Sequence, residues 1–306
     1  NDTTGGLTVT GALTGGTVTN AVSLTTAGGV LSLGSNNITG NQVSLTGAGV
    51  SQTGGTVDAG AGTILVDGNG GAIGLAGTLT TTNSTATAVT IRDGTTVALP
   101  NVTATSGTLV IGVGQDVTGA VSQTGGTVLN VQTVSASTAD SIDLSTGANT
   151  LVNLGAVTRG GSLSVNDTTG GLTVTGALTG GTVSNSVSLV TAGGVLSLGT
   201  NISATGAGIL SLTGVGINQS AGTITVGGTT TVDGGTGTIS LNQATNDFGG
   251  AVTLNATGAT VEIWDTNALS LDAPTLGANT ALTAVAGTTL TLPASAISTG
   301  TGNLEL

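Results

Sequence analysis

Residues 1–34 read NDTTGGLTVTGALTGGTVTNAVSLTTAGGVLSLG, and residues 166–199 read NDTTGGLTVTGALTGGTVSNSVSLVTAGGVLSLG. Three positions differ: Thr19 against Ser184, Ala21 against Ser186, and Thr25 against Val190. Each exchange keeps a small or β-branched side chain. A near-identical copy at an offset of 165 (166 − 1) makes the chain a repeat array, and that decides how everything else is read. Smaller echoes agree. Val50-Ser51-Gln52-Thr53-Gly54-Gly55-Thr56-Val57 returns unchanged at residues 121–128, and Ile217-Asn218-Gln219-Ser220-Ala221-Gly222-Thr223-Ile224 is a looser copy. In each, Gly-Gly or Ala-Gly turns a corner and Thr-Val or Thr-Ile begins the next strand.

Working outward, the local pattern is strand-like almost everywhere. Leu7-Thr8-Val9-Thr10, Gln42-Val43-Ser44-Leu45, Ser141-Ile142-Asp143-Leu144 and Ser162-Leu163-Ser164-Val165 alternate apolar and polar residues with period two. That places one face inward and one in water. Gly-rich punctuation ends each run. Pro100, Pro274 and Pro293 sit at or beside run ends, where a missing N–H is tolerated. Gly is 56 of 306 residues, which argues against any helix at about 1 kcal/mol per Gly relative to Ala.

Composition narrows the function classes. Length alone suggests about two ordinary domains, but a repeat array grows linearly. Cys, Met, His, Tyr and Lys are absent; Phe248 and Trp264 are the whole aromatic content, and Arg92 and Arg159 the whole basic content. Small aliphatics must therefore fill a thin, regular interior. Mean hydropathy is +0.44, yet polar residues or Gly interrupt every apolar run, so no stretch approaches the ~20 residues of a membrane helix. Spaced Val, Ile and Leu argue against disorder. A net charge of −12 with two distant arginines gives no phosphate-binding patch, which excludes nucleic acid and disfavours an anionic membrane surface. The absence of Cys fits a secreted or surface protein independent of disulfides. No signal peptide is visible, and Gly161-Ser162-Leu163-Ser164-Val165 precedes the second copy, so the sequence reads as a piece of something longer.

Apolar clusters near Val89, Leu109, Val131, Leu151, Leu172 and Leu196 recur at steps near 20 residues. The expectation is an all-β, right-handed parallel β-solenoid, one continuous segment over 1–306. It would have ~20 residues per coil, three short strands to a coil, ~15 coils, and ~70 Å of rod at the usual strand spacing. Like residues would stack on like: Thr on Thr, Asn on Asn, Val on Val.

The Gly-Gly-Thr-Val and Leu-Thr-Val-Thr-Gly-Ala-Leu phrases resemble the repeats of large bacterial exoproteins of the filamentous haemagglutinin type. So, above all, does the stretch from Asn246-Asp247-Phe248-Gly249-Gly250-Ala251-Val252 to Asp265-Thr266-Asn267-Ala268-Leu269. The resemblance implies a right-handed β-helix exported through an outer-membrane partner transporter or as an autotransporter passenger. It therefore implies an extracellular or cell-surface location, and as partners the chain itself, end to end or within a longer fibre, and a host or environmental surface.

No chemical site stands out. Asp67-Gly68-Asn69-Gly70-Gly71 has the composition of an acidic Ca²⁺ loop, but the repetition such solenoid loops need is missing, and Asp93-Gly94 and Asp233-Gly234 are isolated too. All three read as turns. Glycan hydrolysis needs two carboxylates ~5–9.5 Å apart. Asp140 falls in a turn while Asp143 points outward from a strand, and the odd spacing of Glu262 and Asp265 sends them to opposite faces. No catalytic residue, metal ligand or cofactor is assigned, and the chain is not expected to be an enzyme. Thr8/Thr10, Thr17/Thr19, Thr173/Thr175, Thr223/Thr225 and Thr236/Thr238 raise the alternative of an ice-binding ladder, although the motif does not recur once per coil. A glycan-active β-helix enzyme is the remaining alternative. Any contact surface for glycan or another ligand is expected near Phe248 and Trp264, with Trp264 more simply a filler of core or groove.

Overall fold

The computed structural model describes residues 1–15, 20–181, 184–258 and 260–306. Among them there are strands and turns and no helix. The strands pair in parallel and stack as a β-solenoid of about 13 turns. The chain divides into two compact units, Asn1–Val152 and Asn153–Leu306.

In the first unit three ladders form the three sides of each coil. One stacks Leu7, Leu31, Val50, Ile73, Val97, Val121 and Ile142 in register. A second runs through Leu13, Ile38, Val57, Leu79, Val102 and Leu129. The third runs through Val22, Val43, Ile64, Val89, Leu109 and Val134. The second unit repeats the plan, with Leu172, Leu196, Ile217, Ile239, Val261, Leu282 and Leu304 on one side. Val157, Leu178, Ile202 and Ile224 lie on another. Leu163, Val187, Leu210, Thr230 and Val252 form the third.

Period-two alternation explains the burial. In residues 42–46 Val43 and Leu45 are fully buried, while Ser44 and Thr46 face outward. Almost every aliphatic residue on these ladders is buried, with Val and Leu supplying most of the interior. Like does stack on like in places: Ser23 on Ser44, Leu24 on Leu45, Ser188 on Ser211, Leu189 on Leu212. It does not hold for Asn218, which lies between Ser197 and Ser240.

The coil is longer than the sequence expectation. Register offsets run from 19 (Leu31 to Val50) to 27 (Val102 to Leu129), which gives about 13 turns rather than ~15. The discrepancy arises at the corners. Leu109 pairs with Val134, not with Val131, because the register shifts between Ala104 and Thr108, where the chain bends from one side of the coil to the next. The first corner phrase behaves as expected: strands at Val50–Gln52 and Thr56–Asp58 flank Gly55, whose φ of +74° only glycine adopts readily, whereas Thr127-Val128 and Thr223 in the later copies precede their strands. At the second copy the following strand begins at Leu129. Pro100, Pro274 and Pro293 all lie outside strands.

Candidate functional site

The polar groups that the coils bring together are mostly structural. Two corners hold a buried amide pair. Gln123 Nε2 donates to Asn149 Oδ1 (2.8 Å) and Asn149 Nδ2 returns a bond to Gln123 Oε1 (2.9 Å). Asn149 also donates to the Leu144 carbonyl and accepts from the Leu129 N–H. In the second unit Gln219 and Asn246 repeat this. The reciprocal bonds are 2.8 Å each, Asn246 Nδ2 reaches the Leu241 carbonyl at 3.2 Å, and the Ile224 N–H donates to Asn246 Oδ1 at 2.9 Å. Each Asn thus closes a corner by satisfying backbone groups that the turn leaves without ladder partners. Gln52 occupies the same phrase, but the coil beside it presents Gly77 there. Its Nε2 donates to the Gly55 carbonyl and its Oε1 has no donor.

The acidic residues serve the backbone, and the three expected turns lie inside strands instead, at irregular points of the ladders: Asp67 within Ile64–Leu75, Asp93 within Val89–Leu99 and Asp233 within Thr230–Gly235. Asp67 Oδ1 accepts from the Asn69 N–H, and its Oδ2 takes both Arg92 Nε and Arg92 Nη2 at 2.9 Å, because Asp67 and Arg92 are in register on adjacent coils. The carboxylate in the stretch with the composition of a Ca²⁺ loop is therefore paired with a cation of the chain itself. Asp233 accepts from the Gly235 N–H, Asp58 from Gly60 and Asp143 from Ser145. Asp93 sits at φ +51° within its strand, where the ladder register shifts between Arg92 and Gly94, and the Asp140 carboxylate accepts from the Ser141 N–H. Among the described residues no three His, Cys, Asp or Glu side chains cluster to hold a metal ion.

Glu262 and Asp265 lie on opposite faces of strand Thr260–Asp265, as their spacing requires. Asp265 is buried, accepting from the N–H groups of Phe248 (2.7 Å) and Asn267 (2.7 Å). Glu262 faces outward and accepts from Asn242 Nδ2 at 2.8 Å. Their carboxyls do not converge on one bond. Phe248 is 1 % exposed, in register with Val226, and its ring fills the interior rather than the surface. Trp264 is half-buried on the outer face, in register with exposed Val285, and its buried Nε1 has no acceptor. Of the two aromatics, Trp264 alone is placed to meet a ligand.

The Thr-x-Thr motifs do not build a ladder. Thr8 sits over Ser32, and the next member is Ser51; Thr173 sits over Ser197, then Asn218. Thr17 and Thr19 lie outside the described residues. The first unit also carries a shallow outer groove of about 340 Å³ over Leu65, Thr90 and Val110, with Gln42 and Arg92 among its lining. No helix among the described residues is long and apolar enough to cross a membrane.

Sequence reasoning missed Arg159. It is 1 % exposed and the largest fully buried side chain among the described residues. Alternation could have found it, since Arg159 follows inward-facing Val157 by two positions. Burial pushes its pKa down to about 10.

Residues 184–255 match a family described as repeats of unknown function (DUF5649). Neither the curated proteins nor the solved structures contained a match to the chain.

Proposed function

We propose that this chain is a rigid segment of an extracellular structural or adhesive fibre, of the kind found in filamentous-haemagglutinin-type bacterial exoproteins. One observation supports it above the others: in each unit parallel ladders run coil to coil in register, with the inward positions given over to small aliphatics. Load along such a stack is shared by many backbone hydrogen bonds at once. The polar side chains that could have carried chemistry are instead spent on corners, as at Asn149, Asn246, Asp67 and Asp265. The sequence resemblance to exoprotein repeats supports a bacterial cell-surface location, export through an outer-membrane transporter, and partners that are further copies or stretches of the same fibre. The half-buried outer face of Trp264, with Glu262 beside it on the same strand, is the place where a surface or glycan contact fits best.

Antibodies against the purified chain test this on cells that make it naturally. Labelling of intact cells equal to that of permeabilised cells is expected. Signal that appears only after permeabilisation would remove the proposal.

A further inference from the structure

Arg159 sits in the interior of the 153–306 unit without a counter-charge. Its Nη2 donates to the Ser203 carbonyl at 2.9 Å, but Nε and Nη1 are buried and have no acceptor. Nδ2 of Asn185, also buried, lacks one too. Gly180 brings the two side chains together. A Cβ on that glycine would lie 3.2 Å from Asn185 Nδ2 and 3.5 Å from Arg159 Nη2, so the amide and the guanidinium both lie against this one residue. These nitrogens are donors only, and Nε, Nη1 and Asn185 Nδ2 meet no acceptor from the chain.

The carboxylates of the unit are engaged elsewhere. Asp167 Oδ2 takes the Thr191 hydroxyl, Asp233 caps Gly235, and Asp265 holds two backbone N–H groups. Among the described residues the one arginine–carboxylate pair is Arg92 with Asp67, in the other unit. A guanidinium remains charged at neutral pH, and burying it unpaired is far more costly than burying an unpaired dipole. Water would satisfy the N–H groups but not the charge.

We propose that Arg159 and Asn185 form an internal site for a small monovalent anion, a halide in ordinary buffers, seated over Gly180. The anion is a structural counter-ion that neutralises the interior of the coil.

The test is unfolding of the purified chain at constant ionic strength as bulky gluconate is replaced by bromide. The folding equilibrium constant of the wild type should rise with bromide, up to tenfold per decade of concentration once the site is near saturation. Arg159→Met, which fills the position with an uncharged chain of similar length, should lose the bromide dependence. Gly180→Ala, which sets a Cβ against both side chains while leaving Arg159 in place, should weaken it. Equal bromide slopes in wild type and Arg159→Met, or no slope in the wild type, would overturn the proposal. Should Arg159→Met fail to fold, anomalous diffraction from a bromide-soaked wild-type crystal decides. A bromide peak within hydrogen-bond reach of Arg159 supports the site, and water alone at that position refutes it.

Discussion

Replacing Asn246 by Ala tests whether the corners, and not only the apolar ladders, hold the solenoid. The Asn246 side chain accepts from Ile224 N–H and Gln219 Nε2 and donates to Gln219 Oε1 and the Leu241 carbonyl, all in a buried corner. Ala removes four bonds together. A net ~1 kcal/mol for each would give about 4 kcal/mol. Water entering the vacated space recovers part of this, whereas stranded buried groups add to it, so the expected cost is ~3–5 kcal/mol. Coils are coupled mainly to their neighbours, so the loss should be local. The assay is amide hydrogen exchange across the whole chain. Exchange at Ile224 should accelerate by a factor on the order of 10²–10³, with Gln219 close behind. Amides near Leu45 in the first unit should not change. Less than threefold acceleration at Ile224 would refute the idea that the Gln–Asn pair fastens the corner.

Gln52 makes the converse prediction. Its Oε1 is buried without a donor, so Gln52→Met should cost less than ~1 kcal/mol or stabilise, as read from denaturant midpoints. Gly62→Ala should prevent normal packing of its coil, because the added Cβ would overlap the Asn41 carbonyl oxygen, whereas Gly74→Ala, which meets open space, should shift the thermal midpoint by no more than a degree or two, on the order of 0.5 kcal/mol. Arg159 gives a pH signature in halide-free buffer. Its folded pKa of about 10 lies below that of a free guanidinium, so between those values the unfolded chain binds more protons and stability rises with pH. The penalty, on the order of 3 kcal/mol, is fully present below pH 10. The chain has no Lys, Tyr or Cys to titrate in that window. Urea midpoints should climb from pH 10 to 12 in the wild type and stay flat in Arg159→Met.

Alternation made the inward face of most strands legible without any structure. Val43 and Leu45 point in and Ser44 points out because a strand has period two. The same rule separated Glu262 from Asp265 and would have buried Arg159 with Val157 had it been applied to a charged residue. The exact coil length was not legible, because it resides in the corners. Between Leu31 and Val50 a coil takes 19 residues, and between Val97 and Val121 it takes 24, with the strands unchanged in kind. Corner partners were equally hidden. Nothing in Val121-Ser122-Gln123 announces that Asn149, a full turn later, will close the amide pair, and the identical Val50-Ser51-Gln52 meets Gly77 instead. Phe248 looked like a surface feature because it is rare, yet its burial follows from register with buried Val226.

The central proposal, a fibre segment outside the cell, is met most directly by immunogold electron microscopy of cells that express the protein naturally, using antibodies raised against the purified chain. Gold particles along filaments that extend from the cell surface are predicted. Gold confined to the cell interior, or a surface signal with no filament beneath it, would contradict the account.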